Sequence, residues 1–131
     1  MKKIILTVVL MSIPFMSFAH EDHDKTPDTV AAPHGGIMKD LKHIYLELLV
    51  DTGGIKIYPY DHDLKPVVLK NVKMEGTARF PKKAKTEKVA FTTEDGAFSA
   101  KVDAKGAHRY SLEVTVTHQG KKEKTKFNVE P

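Results

Sequence analysis

The chain has 131 residues, a formal net charge of +4, seven histidines and no cysteine. The missing cysteine excludes disulfides, thiolate metal sites and thiol catalysis, so any metal would fall to His, Asp, Glu, Met or a free amino terminus. The lysines are dispersed among acids, with one local run at Lys121-Lys122-Glu123-Lys124, and do not form the clustered basic face with interleaved aromatics that nucleic-acid binding requires.

Lys2 and Lys3 precede an apolar run from Ile4 to Phe18, and Ser17 and Ala19 place small residues where a signal peptidase needs them. This pattern predicts a secretory signal peptide over 1–19. It is too short and wrongly flanked for a stable membrane span, so no span is expected after cleavage. A lipoprotein route would need a cysteine. The expected location is periplasmic or secreted, where removal of Lys2 and Lys3 lowers the formal charge by two.

Residues 20–32 read as a flexible tail, polar and charged, with Pro27 and no apolar period. The tail opens with His20-Glu21-Asp22-His23-Asp24. If cleavage frees His20, its amine and ring nitrogen can chelate one ion, with His23 as a third donor, a set that suits Cu(II), Ni(II) or Zn(II). The same composition serves equally as a solvated acidic leader.

Residues 33–131 read as one β domain. Pro33-His34-Gly35-Gly36 is a sharp turn that leaves an imidazole accessible. Ile44, Leu46, Leu48 and Val50 alternate with His43, Tyr45, Glu47 and Leu49, which predicts a strand with the first set inward. Thr52-Gly53-Gly54 turns the chain into a second strand that carries Ile55, Ile57, Tyr58 and Tyr60. Asp61 to Pro66 is a loop around His62, and Val67 to Leu69 is a candidate short strand. Val72, Met74, Ala78 and Phe80 share a face, with Gly76 marking a bulge or a close backbone approach. Lys88 to Thr93 and Ala97 to Val102 flank a hairpin turn at Glu94-Asp95-Gly96. Tyr110, Leu112, Val114 and Val116 give the clearest alternation, with His108 and His118 at its two ends, and Gln119-Gly120 leads into a last strand with Phe127 and Val129 inward. Seven or eight short strands without a helix predict an antiparallel, immunoglobulin-like β-sandwich, with a barrel as the alternative.

Catalytic constellations are missing. Ser99 and Ser111 lack nucleophile-elbow glycines, no glycine loop cradles phosphate, and the Asp61/Asp63 and Glu94/Asp95 pairs fall on turns, so no enzyme activity is expected. The candidate metal ligands are His34, His20, His23, His43, Glu47 and His62. His43 and Glu47 share a strand face but stand about 13 Å apart, too far to bind one ion together. A site therefore needs His34 folded back, or a neighbouring strand, to gather its donors.

The order Pro33-His34-Gly35-Gly36, Glu47-Leu48-Leu49-Val50, Tyr58-Pro59-Tyr60-Asp61 and Pro66-Val67 resembles a small periplasmic domain found near the N-terminus of heavy-metal efflux adaptor (membrane-fusion) proteins. The same domain also occurs as short secreted proteins. The resemblance covers Pro33 to Val67 and implies metal handling through His34 and Glu47. In such domains a histidine often stands two residues before the glutamate, where this chain has Tyr45. A histidine at the mature N-terminus of a small β-sandwich is also similar to copper-resistance carriers that bind Cu(II) there. The expectation is a carrier of a copper or zinc ion, or an accessory to an efflux-pump component. The alternative is a secreted interaction module that binds another envelope protein and uses no metal.

Overall fold

The computed structural model describes residues 30–82 and 85–131, and the expected signal peptide and the tail with His20 and His23 lie outside them. The described chain forms nine strands: β1 (Ile37–Asp40), β2 (Tyr45–Asp51), β3 (Gly54–Tyr60), β4 (Val72–Arg79), β5 (Thr86–Val89), β6 (Thr92–Glu94), β7 (Ala97–Lys101), β8 (Tyr110–His118) and β9 (Lys121–Val129). They make two antiparallel sheets, one ordered β1-β2-β3-β7-β6 and the other β5-β4-β8-β9. The β-sandwich read from the alternation is therefore the observed architecture. No helix among the described residues is long and apolar enough to cross a membrane.

The core lies between the sheets. Leu46, Leu48, Ile55 and Ile57 come from the five-stranded sheet, and Leu112, Val114, Val116, Phe127 and Val129 from the four-stranded one, all with almost no exposure. Each such side chain is worth about 1.5–3 kcal/mol when taken out of water, so this layer carries most of the stability of a domain without disulfides. Two-residue turns at Asp95-Gly96 and Gln119-Gly120 have positive φ at both positions, the geometry that matches the right-handed twist of the strands they join.

Four details differ from the sequence reading. The strand count is nine, because Ile37–Asp40 adds a short edge strand with no alternation of its own. The stretch read as one strand from Lys88 to Thr93 is divided: β5 belongs to the four-stranded sheet and β6 to the five-stranded one, so the chain changes sheets at Ala90-Phe91. Val67 to Leu69 is not a strand, and Leu69–Asn71 is a single 3₁₀ turn. Val50 is exposed rather than core, because the pairing of β1 with β2 stops at Ile37 opposite Leu48 and leaves Val50 beyond it. At Gly76 the ladder with β8 runs without interruption and the ladder with β5 begins, and a side chain there would press on the Phe91 ring, so the glycine marks the close approach of a side chain and not a bulge.

Candidate functional site

Glu47 is the buried ion of this fold. It sits mid-strand on β2 and is the only buried charged side chain among the described residues. Leu46 and Leu48 face the sandwich core, so Glu47 points to the other face of the five-stranded sheet. Its neighbours there are Tyr58, directly opposite on β3, and Met38, opposite on β1. A carboxylate on that face would normally be wet. Here the chain entering β1 folds over it.

The fold-back depends on two glycines. Gly35 has φ +74°, and its N–H donates to the Ala32 carbonyl at 3.0 Å. Gly36 lies against the backbone of β2, where a Cβ would collide with the Leu48 carbonyl oxygen and press on Cγ of Glu47. This approach lets the turn hand its donors to the carboxylate. The backbone N–H groups of His34 and Gly36 donate to Glu47 Oε1 at 2.8 and 3.0 Å. The Tyr60 hydroxyl donates to Oε2 at 2.8 Å, and His34 Nδ1 stands 3.0 Å from the same oxygen. Four donors thus serve one buried carboxylate. Burial alone would raise its pKa, but the hydrogen bonds from Gly36, His34 and Tyr60 outweigh that and hold it below the ordinary 4.5.

The network also assigns the imidazole. An ionised carboxylate only accepts, so the Nδ1 that faces it carries the proton. The Tyr60 hydroxyl points its hydrogen at Oε2, and its oxygen, 2.8 Å from Nδ1, faces that N–H as a second acceptor. In the neutral ring Nε2 is then a free lone pair, and it makes no hydrogen bond to any described residue. The His34 ring stacks on Tyr58 with centroids 3.9 Å apart and planes 15° from parallel, and its side chain is 42% exposed. Burial and the neighbouring carboxylate push the Tyr60 hydroxyl well above the usual phenol range, so it stays a donor at any ordinary pH.

The structure brings His34 and Glu47 together and leaves His43 and His62 elsewhere. The His43 backbone N–H donates to Glu123 Oε2 at 3.2 Å, and its Nδ1 lies 3.3 Å from Glu123 Oε1. The His62 Nε2–H donates to the Lys42 carbonyl at 3.0 Å, and its ring meets Tyr45 edge-on at 4.7 Å. Asp61 is occupied by its own loop, accepting from the N–H groups of Asp63 and Lys65. No group of three or more His, Asp or Glu side chains poised for a metal ion occurs among the described residues. His20 and His23 lie outside them.

The sequence places Tyr58 and Tyr60 on a strand and in the resemblance motif, but does not mark them as site residues. The signal was there: tyrosines alternating with Ile55 and Ile57 must share a face, and that face is the one where an isolated glutamate interrupts an apolar strand.

In chemical terms, the arrangement is an imidazole with one nitrogen clamped by a buried carboxylate and the other turned outward. A carboxylate behind the ring fixes its tautomer and orientation, the usual support for a histidine that ligates a metal. All acceptor positions of Glu47 are engaged, which suits it to orienting the ring. The chain matches no protein-family model and no curated protein.

Proposed function

We propose that this is an exported metal-ion binding protein of the copper or zinc class, a carrier or an accessory to cation efflux in the bacterial envelope. His34 Nε2 is the anchoring ligand and Glu47 orients it. The observation that supports this most is the Nδ1–Glu47 clamp, which commits the inner nitrogen and leaves the outer one free. The other donors come from His20 and His23 of the tail, or from the partner that receives the ion. One imidazole alone does not make a site, and a tail whose first residue offers an amine and a ring nitrogen supplies what is missing. A bound ion would hold the tail against the outer face of the five-stranded sheet.

The same network favours a second reading, in which Glu47 simply pins the entry of the chain to the sheet and the domain serves protein interaction. Three of the four hydrogen bonds on Glu47 come from His34 and Gly36, so the pinning is real in either case. Calorimetric titration of the mature chain with Cu(II), Zn(II) and Ni(II) separates the two. The metal reading expects a dissociation constant tighter than about 10⁻⁴ M, weakened in His34→Ala and again when His20 and His23 are replaced. Binding no tighter than that, or indifferent to all three histidines, would refute it.

A further inference from the structure

The far end of the four-stranded sheet carries a second constellation that the metal reading does not use. Arg79, Ser111 and Asn128 are register partners across β4, β8 and β9, and so form one row on the outer face. Arg109, one step before β8, and Lys126, two residues before Asn128, fall on the same side by alternation. With Lys82 they line a groove of about 720 Å³.

Three things set this groove apart from an ordinary solvated face. First, it gathers four cations, whereas three lysines elsewhere on the surface pair with acids: Lys73 with Glu75, Lys124 with Glu113, and Lys105 with Glu87. Arg79, Lys82, Arg109 and Lys126 have no ion-pair partner among the described residues, and Glu130 is the single acid in the lining. Second, Tyr110 lines the groove from below, packed on Phe80 at 5.3 Å, and its hydroxyl has no hydrogen-bond partner among the described residues. Third, the groove opens into an apolar niche of about 280 Å³ walled by Phe80, Pro81, Ala104 and Ala107, with Lys82 and Arg109 on the boundary. That volume is close to the lower limit of small-molecule sites.

We propose that this groove and niche together bind an anionic amphiphile, with a phosphate or carboxylate head group among the four cations and an alkyl chain in the niche. The guanidinium groups of Arg79 and Arg109 match a tetrahedral or planar oxyanion bidentately. Ser111 and Asn128 supply neutral donors to the same oxygens. Neither half suffices: a free inorganic anion leaves the niche empty, and an uncharged chain leaves the cations unserved. The ligand is a soluble fatty acid or alkyl phosphate, or the same head group and chain presented by an anionic lipid.

The test uses the full mature chain and hexyl phosphate, followed by amide NMR, with inorganic phosphate and hexanol as the two half-ligands. Hexyl phosphate is expected to give saturable shifts at residues 79–82, 104–111 and 126–130, and to bind about tenfold tighter than either half-ligand. The double variant Arg79→Gln/Arg109→Gln, whose changes are both exposed, is expected to lose about tenfold or more in affinity while its spectrum elsewhere is unchanged. Absence of saturable shifts, equal binding of inorganic phosphate, or undiminished binding by the double variant would each overturn the proposal. Co-sedimentation with phosphatidylglycerol vesicles identifies the source. Arginine-dependent retention means a lipid in a bilayer, and no retention alongside saturable hexyl phosphate binding means a free amphiphile.

Discussion

Glu47→Gln changes one atom of the buried network and makes two separate demands on the molecule. The glutamine carbonyl can take the place of Oε1 and keep the N–H groups of His34 and Gly36, which now donate to a neutral acceptor. Its NH₂ then replaces Oε2 and faces the Tyr60 hydroxyl and His34 Nδ1. The hydroxyl can rotate and accept. Nδ1 can accept only by giving up its proton, which moves to Nε2. Hydrogen bonds to a charged group are worth about 1 kcal/mol more than neutral ones, and four are affected. Part of that loss is offset because a neutral amide is less costly to bury than a carboxylate. The net expectation is about 2 kcal/mol of lost stability, or roughly 10 °C in Tm for a domain of this size. Urea unfolding of both proteins across pH reads it. Because the folded pKa of Glu47 is lowered, its stabilising contribution is full above the ordinary 4.5 and is lost as pH falls through the depressed value. The gap between wild type and E47Q should therefore be constant near neutrality and close in acid. In parallel, the ¹⁵N shifts of the His34 ring should show the proton moved from Nδ1 to Nε2. Equal stability at pH 7, a gap that widens in acid, or an unchanged tautomer would refute the assigned network.

Tyr60→Phe removes one charge-assisted donor from Glu47 and should cost about 1.5–3 kcal/mol in urea unfolding, with the Glu47 carboxyl titrating at higher pH by carbon-detected NMR. Gly36→Ala forces a methyl group against the Leu48 carbonyl, which belongs to the β2 backbone and cannot yield, so the turn should lift. The expected loss is about 1–3 kcal/mol, with faster amide exchange at His34 and Gly36 and little change in β8. At the other end of the molecule, burial pushes the Tyr110 hydroxyl up to about 12 from 10.0. Its contribution is full below pH 10 and is lost as pH rises through the folded value, so Tyr110→Phe should flatten the alkaline decline in stability, though not abolish it, because Tyr60 is raised as well.

What the sequence showed of the fold was what local pattern encodes. The run Tyr110 to Val116 alternates without a break, and it belongs to one of the two central strands of its sheet. Asp95-Gly96 carries its own turn geometry. Ile37–Asp40 has neither signal, since its place is set by pairing with β2. The change of sheet at Ala90-Phe91 is likewise a tertiary event, unmarked by proline or glycine. The same division holds at the site. The accessibility of His34 followed from its glycines, and the position of Glu47 mid-strand followed from alternation. That one residue buries the other did not follow, because it depends on a loop closing across thirteen residues. His43 and His62 carry the right side chains, but Glu123, from the opposite end of the sequence, and the Lys42 carbonyl hold them away from His34.

The central claim, that His34 presents a free Nε2 to a metal ion, is tested most directly by titrating the mature chain with Zn(II) while following the histidine ring nitrogens by NMR. The account predicts that the His34 Nε2 resonance responds first and saturably, together with His20 and His23, while Nδ1 keeps its proton and its bond to Glu47. Zinc that leaves the His34 ring unperturbed, or engages it through Nδ1 with release of Glu47, would contradict it.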